Sequence, residues 1–366
     1  MKIFILSDSN SIHTKRWVKS LAKRGINVFL FSLYKNLNDD YWGYENLQVY
    51  GCYERLGESF SRKMSYLFVL GRIKQKIKEF KPNIVHAHYA SSYGLLGALC
   101  NFQPYIVSVW GSDVYDFPNT NWFTRQMLKY TLKKADRILS TSHVMAKETC
   151  KYTNKRIIIT PFGVDVNRFK NLHIERKNKF VVGNVKTLSP KYGIDILIKA
   201  FKIVVQRNPC VDVELIIVGD GPNRIEYEEL VIKLGLEKKV RFEGKVLNEK
   251  LPEYYNRFSL SVFASVLNSE SFGVVAVEAM ACECPVITSD ADGFTEVVKD
   301  GETGLIIPKR DVEATANAIQ RFIDHPELRE EMGKKGRERV LELYDWEKNV
   351  DTMIKIYNRI YEDSIN

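Results

Sequence analysis

The sequence predicts an α/β protein built as two Rossmann-like, doubly wound domains in tandem. Three observations carry this. Short runs of β-branched and aromatic residues recur along the 366-residue chain with helical patterns between them. The runs show little polar alternation, as strands covered on both faces of a parallel sheet do. The series breaks once, in polar, turn-rich sequence, and then starts again.

In the first half the strand candidates are Lys2–Ser7, Asn27–Leu33, Gln48–Cys52, Asn83–Tyr89, Tyr105–Gly111, Arg137–Ser142 and Arg156–Pro161. Helical patterns lie near 13–24, 61–81, 93–101, 121–135 and 143–152. Strand–helix–strand repetition implies right-handed crossovers. The stretch 161–179 (PFGVDVNRFKNLHIERKNK) reads as a linker. The second series is Phe180–Val185, Val213–Val218, Val240–Glu243, Leu260–Ala264, Pro285–Thr288 and Leu305–Ile307, and 311–362 is helical throughout. The expected division is 1–170, rejoined by a closing helix 345–366, and 171–344. Such a pair implies a ligand cleft at the carboxyl ends of both sheets.

Composition narrows the class. With 45% apolar and 27% charged residues, the chain is neither disordered nor a disulfide-stapled miniprotein. The opening Met-Lys-Ile-Phe-Ile-Leu-Ser-Asp is too short for a signal peptide, and no window reaches the roughly 18 apolar residues of a membrane span. Six cysteines (Cys52, Cys100, Cys150, Cys210, Cys282 and Cys284) show no C-x-x-C and no zinc spacing, which suits reduced thiols and a cytoplasmic protein. The net charge of +9 is uneven: residues 1–170 hold 26 Lys+Arg against 12 Asp+Glu, so that half is expected to face something anionic. Much of the excess falls in Ser61–Lys81, a basic amphipathic pattern that could lie on the inner face of an anionic membrane.

The chemistry concentrates in three places. Asn268–Pro285 (NSESFGVVAVEAMACECP) opens a helix after Phe272-Gly273, with Glu270 just ahead of it and Glu278 inside it. Free N–H groups and the positive dipole end there suit a diphosphate, and a carboxylate ahead of them can accept from sugar hydroxyls. Glu278 is a charge in an apolar helix, and buried glutamate is rare unless paired or bound. Lys186 and Lys191 lie on the strand-to-helix loop Gly183–Asp195 and could stabilise a departing diphosphate. Val218–Pro222 (VGDGP) is a turn after a strand. His86 and His88 are expected on opposite faces of their strand, one of them packed in the core. No P-loop, H-E-x-x-H, G-x-S-x-G or Cys/His nucleophile set occurs.

Together these residues resemble the retaining GT-B glycosyltransferases of the family-4 type, over nearly the whole chain. The most specific part is E-x7-E, Glu270 to Glu278, supported by VGDGP, PFGVD (161–165) and IHTKRWVKSLAKRGINV (12–28). The resemblance implies that 1–170 binds the acceptor and 171–344 a nucleotide sugar, UDP-linked. It implies that Glu270 meets the donor sugar, that Glu278 holds the ribose hydroxyls, and that Lys186 and Lys191 grip the diphosphate. Backbone after Phe272, at Gly273, Val274 and Val275, would meet sugar and phosphates, and Lys245-Val246 the base. No metal or other cofactor is implied. The acceptor would be a saccharide or lipid-linked saccharide in polysaccharide or glycoconjugate synthesis.

Four departures stand out. Lys186 replaces an arginine, keeping charge but losing a bidentate fork. Glu283 stands at a common glycine position. Trp110-Gly111-Ser112-Asp113 replaces His-Gly-x-Asp, so the family's cleft histidine is Trp110, with Asp113 retained and His13 or His88 available to fill the space. The glycine-rich N-terminal loop is replaced by Ser9–His13. Other readings are a non-catalytic nucleotide-sugar-binding subunit or a sugar-nucleotide epimerase. A nucleic-acid binder lacks any recognition motif.

Overall fold

The structure, a computed structural model, describes residues 1–36, 41–53, 69–174 and 179–365. The chain forms two compact units, Met1–Thr160 with Lys348–Asn366, and Pro161–Glu347.

The first unit holds seven parallel strands: β1 (Lys2–Leu6), β2 (Asn27–Tyr34), β3 (Leu47–Tyr53), β4 (Ile84–His88), β5 (Tyr105–Val109), β6 (Arg137–Ser140) and β7 (Ile157–Ile159). Their order is β3-β2-β1-β4-β5-β6-β7. Every residue of β4 and β5 is buried, which explains their unbroken apolar character. The second unit holds β8 (Phe180–Val185), β9 (Val213–Val218), β10 (Val240–Gly244), β11 (Leu260–Phe263), β12 (Val286–Ser289) and β13 (Gly304–Ile307), ordered β10-β9-β8-β11-β12-β13. Each sheet reverses its strand order once, at β1/β4 and at β8/β11. That switch point is where open α/β sheets bind ligands, because the flanking loops diverge there.

Three expectations change. The second unit begins at Pro161, not 171, because 161–169 packs onto it. Val164 N–H donates to Tyr344 O (2.9 Å), the Phe162 ring stands edge-on to Phe272 (5.8 Å), and Arg337 donates to the Val166 and Phe169 carbonyls. Second, His86 and His88 share a face of β4, since residues two apart on a strand point the same way; their rings lie 4.6 Å apart. Third, in the basic helix, described over Leu70–Phe80, Gly71 is exposed although the spacing places it on the apolar face, and Ile73, placed at the margin of that face, is buried with Ile77. Residues 61–68 of the expected element lie outside the described residues.

The closing helix Trp346–Ile365 is tied to the first unit by its own side chains. Tyr357 Oη lies 2.7 Å from His86 Nδ1, Arg24 pairs with Asp351 at 2.6 Å, and Arg137 with Asp363 at 3.0 Å. Among the described residues, no helix is long and apolar enough to cross a membrane.

Candidate active site

In the second unit the chemistry-bearing residues converge on the β8/β11 switch point. Lys186 leaves the end of β8, and its Nζ lies 2.5 Å from Glu270 Oε2, on the loop after β11. Both side chains are only about a tenth exposed (11% and 10%), and Ser265 Oγ donates to the same carboxylate oxygen at 3.2 Å. The Lys186 ammonium also lies over the Tyr192 ring, 4.5 Å from its centre. Lys191 Nζ donates to Ser269 O at 3.1 Å, so the second lysine is fastened to the segment carrying Glu270. The fold thus gathers two ammonium groups and one carboxylate at a strand-end crevice.

Glycines let the backbone close around this point. Gly219, the first glycine of VGDGP, has φ 136°, and a Cβ there would lie 1.9 Å from Lys186 O. Gly273 caps the helix Val274–Ala281 with φ 80°, and a Cβ would meet Phe294 at 2.7 Å. Phe272 turns inward against Phe162 and Tyr344, leaving backbone, not its ring, to face a ligand. Val274 and Val275 are half-buried at the first turn of that helix.

Glu278 lies inside the same helix and is buried (6% exposed). Tyr255 Oη donates to its Oε2 at 3.1 Å and Asn248 Nδ2 to its Oε1 at 3.4 Å. Burial, and then the neighbouring Glu278 carboxylate, push the Tyr255 hydroxyl well above its usual range, so it stays a donor. Lys245 is exposed and Val246 half-buried on the segment after β10, close in sequence to Asn248. Glu283 adopts φ 57°, so the turn before Pro285 keeps the left-handed backbone a glycine would favour, with Asn171 donating to the Glu283 carboxylate at 2.8 Å.

In the first unit the candidates gather at the β1/β4 switch point. Trp110 lies over His88 (ring centres 4.5 Å apart) and His13 stands edge-on to Trp110 at 6.1 Å. His88 Nδ1 is 3.2 Å from Ser7 Oγ, which itself meets Thr14 Oγ1 at 2.7 Å. Burial lowers His13 to about 4, with Arg16 adding to it, and lowers His88 well below the usual histidine range. Neutral rings therefore surround Trp110. Asp113 is fully buried and accepts from the backbone of Ala90, Trp110 and Gly111, which fixes the turn after β5 to the end of β4.

Solved structures share this architecture. Sucrose-phosphate synthase of Thermosynechococcus elongatus superposes with a TM-score of 0.83 at 24% identity, covering 99% of this chain and all of that one. Anabaena HepE in complex with UDP and glucose gives 0.81 at 19% identity, covering 98% and 100%. At these identities the likeness is one of fold, and the fold is GT-B. The family model for Glycosyl transferases group 1 matches residues 165–339, and that for Glycosyl transferase 4-like residues 2–142. An uncharacterized glycosyltransferase of Methanocaldococcus jannaschii is 30% identical over 303 residues, 82% of each chain. The chain belongs to the GT-B glycosyltransferases. This glycosyltransferase is also 25% identical over 305 residues to N-acetyl-alpha-D-glucosaminyl L-malate synthase of Bacillus anthracis, covering 78% of this chain and 76% of that one.

Sequence reasoning missed the residues that support the glycosyltransferase's carboxylates. Ser265, which donates to Glu270, lies five residues before it and just outside the marked stretch Asn268–Pro285, while the Ser269 carbonyl, which holds Lys191, lies inside that stretch. Tyr255 and Asn248 come from a separate helix and loop, at no recognisable spacing from Glu278.

Proposed function

We propose that this glycosyltransferase transfers a sugar from a UDP-linked donor, with retention of the anomeric configuration, to a saccharide or lipid-linked acceptor in polysaccharide or glycoconjugate synthesis. It works in the cytoplasm or on the inner face of its membrane. The observation that supports this best is the Lys186–Glu270 pair, with Lys191 beside it and a helix N-terminus following.

Two ammonium groups and the first-turn N–H groups at Gly273, Val274 and Val275 can hold a diphosphate, and they act most strongly where charge develops as it departs. Glu270 accepts from hydroxyls of the donor sugar. Glu278, held by Tyr255 and Asn248, accepts from the ribose, and backbone at Lys245-Val246 reads the base. In the reaction an acceptor hydroxyl oxygen attacks the anomeric carbon on the face the diphosphate is leaving. The bond from that carbon to the β-phosphate oxygen breaks, and the hydroxyl's proton passes to that oxygen, giving UDP and a glycoside. The lysines supply the positive charge at the leaving group, so the scheme runs without a metal. HepE, bound to UDP and glucose in a chain of the same fold, supports the donor class.

The test is a thermal-shift screen of nucleotides and nucleotide sugars, followed by product analysis. A UDP-sugar at about 100 times its dissociation constant should add ~2.7 kcal/mol of stability. Proton coupling at the new anomeric centre should report the donor's configuration, and activity should survive EDTA. An inverted product, or a strict Mg2+ requirement, would sink this reading.

A further inference from the structure

The first unit contains a cavity of about 710 Å3 at the β1/β4 switch point, within the ~300–1,000 Å3 range of ligand pockets. Its two ends differ in chemistry. One end is formed by Ser7, Asp8 and Ser11 after β1, by His88 and Tyr89 where β4 ends, and by Trp110 after β5. The other runs between the helices Ser92–Cys100 and Trp122–Lys134, lined by Leu95, Leu96, Leu99, Phe123, Met127 and Tyr130. A saccharide alone has no use for that wall, because sugar hydroxyls placed against leucines would lose hydrogen bonds to water.

The surface at the apolar end adds a second observation. The helix Trp122–Lys134 exposes Trp122 (73%), Phe123 (50%) and Tyr130 beside Arg125, Lys129, Lys133 and Lys134. Exposed aromatics interleaved with basic residues suit the boundary of an anionic bilayer. They also disfavour a second copy of this chain as occupant, since residues 1–170 carry a large excess of positive charge that would repel its like.

We propose that the acceptor is a membrane lipid glycoside whose hydrocarbon chain occupies the Leu95–Tyr130 end of this cavity while its hydroxylated head lies against Ser7, Asp8 and His88. This rests on the transferase reading above and narrows its acceptor to an amphiphile. The basic, aromatic face of Trp122–Lys134 then meets the bilayer from which the chain is drawn.

Monomeric alkyl glucosides isolate the chain, because their head is uncharged and constant. Each buried methylene tightens binding about fourfold, so calorimetry should find octyl glucoside binding at least tenfold more tightly than butyl glucoside, and methyl glucoside weakest. Met127→Trp fills the cavity from a half-buried position, and Leu99→Asn makes its wall polar without changing size. Either should weaken octyl glucoside at least tenfold while leaving UDP affinity unchanged. Equal binding of octyl and butyl glucoside would overturn the proposal. So would tight octyl binding that both substitutions spare, since the chain would then lie elsewhere. UDP binding is measured on the same samples, so a failure of the donor reading appears as absent UDP binding and is separate from either result.

Discussion

Lys186 Nζ and Glu270 Oε2 are 2.5 Å apart, joining the end of β8 to the loop that opens the helix Val274–Ala281. Each holds the other largely out of water, so removing one leaves a nearly buried charge. Glu270→Ala should cost about 3 kcal/mol of stability, the low end for breaking a buried pair. UDP should raise the melting point of the variant about as much as the parent's, because no contact of the nucleotide is removed. Its UDP affinity should be nearly intact and its turnover depressed, because the lost partner is on the reacting sugar. A variant with parental turnover would remove Glu270 from the site.

Glu278 behaves differently, because the ribose is present in substrate and transition state alike. Glu278→Ala should weaken UDP at least tenfold by calorimetry, given ~1.5–3 kcal/mol for a hydrogen bond to a charged group. It also strands the Tyr255 hydroxyl, which loses its acceptor. Glu278→Gln keeps an oxygen for Tyr255 and should fold like the parent while still binding UDP weakly. Parental UDP affinity in both variants would make the ribose assignment wrong.

Lys191 Nζ donates to the Ser269 carbonyl, a neutral acceptor that fastens its ammonium group beside Glu270. Such a charge is suited to a departing diphosphate. Lys191→Met should lower kcat about 100-fold or more with a smaller change in KM, as removal of one preorganised donor does. Full activity in steady-state assays would exclude the leaving-group role.

How far the sequence reached differs between fold and site. All thirteen strands of the described residues were legible, most of them because buried parallel strands concentrate Val, Ile, Leu and Phe into short runs, as in Ile84–His88 and Tyr105–Val109. The start of the second unit was not. Pro161–Phe169 looks like linker because its polar residues serve turns, while its Phe162, Val164 and Phe169 are buried. In the site, Glu270, Glu278, Lys186 and Lys191 stood out as charges at strand ends or in an apolar helix. Tyr255 and Asn248 could not, since long-range pairing leaves no local pattern. The apolar cavity beside Trp110 was equally hidden, being assembled from helices thirty residues apart whose leucines read only as core.

The buried histidines give the first unit a pH response. Burial lowers His86 to about 3, and its ring meets Tyr357 Oη at 2.7 Å and Ser108 Oγ at 2.8 Å. An unfolded histidine titrates near ~6.5. Stability is therefore full above that pH, and as pH falls the unfolded chain takes a proton that the folded ring refuses. Each such histidine costs about 1.4 kcal/mol per pH unit below ~6.5 until its folded value is reached. Asp113, raised by burial, works in the opposite sense, so the difference between variants is the readout. Hydrogen exchange of β4 and β5 peptides should show His86→Gln less stable than the parent at pH 7.5 but losing less between pH 6 and 4.5. Parallel profiles would mean that His86 does not carry the response.

The exposed side of Leu70–Phe80 carries the remaining prediction. Ile73 and Ile77 are buried, so the helix packs on its own unit and does not insert. Arg72, Lys74 and Lys78 are exposed, and Lys81 follows at the helix end. Lys76 differs: it pairs with Glu79 at 2.8 Å and lies over the Tyr50 ring, so it contributes less to any anionic surface. At about 1 kcal/mol for each Lys or Arg near an anionic bilayer, three or four exposed charges suffice for weak, reversible attachment but not for anchoring. Co-sedimentation with anionic vesicles should therefore be measurable at low salt and fade as the Debye length contracts from ~30 Å at 0.01 M to ~8 Å at 0.15 M. Lys74→Glu with Lys78→Glu should weaken it, leaving what the Trp122–Lys134 face contributes, and Lys76→Glu alone should change it little. Equal binding to neutral vesicles would assign attachment to apolar contacts instead, and no binding to anionic ones at low salt would remove this helix from the membrane.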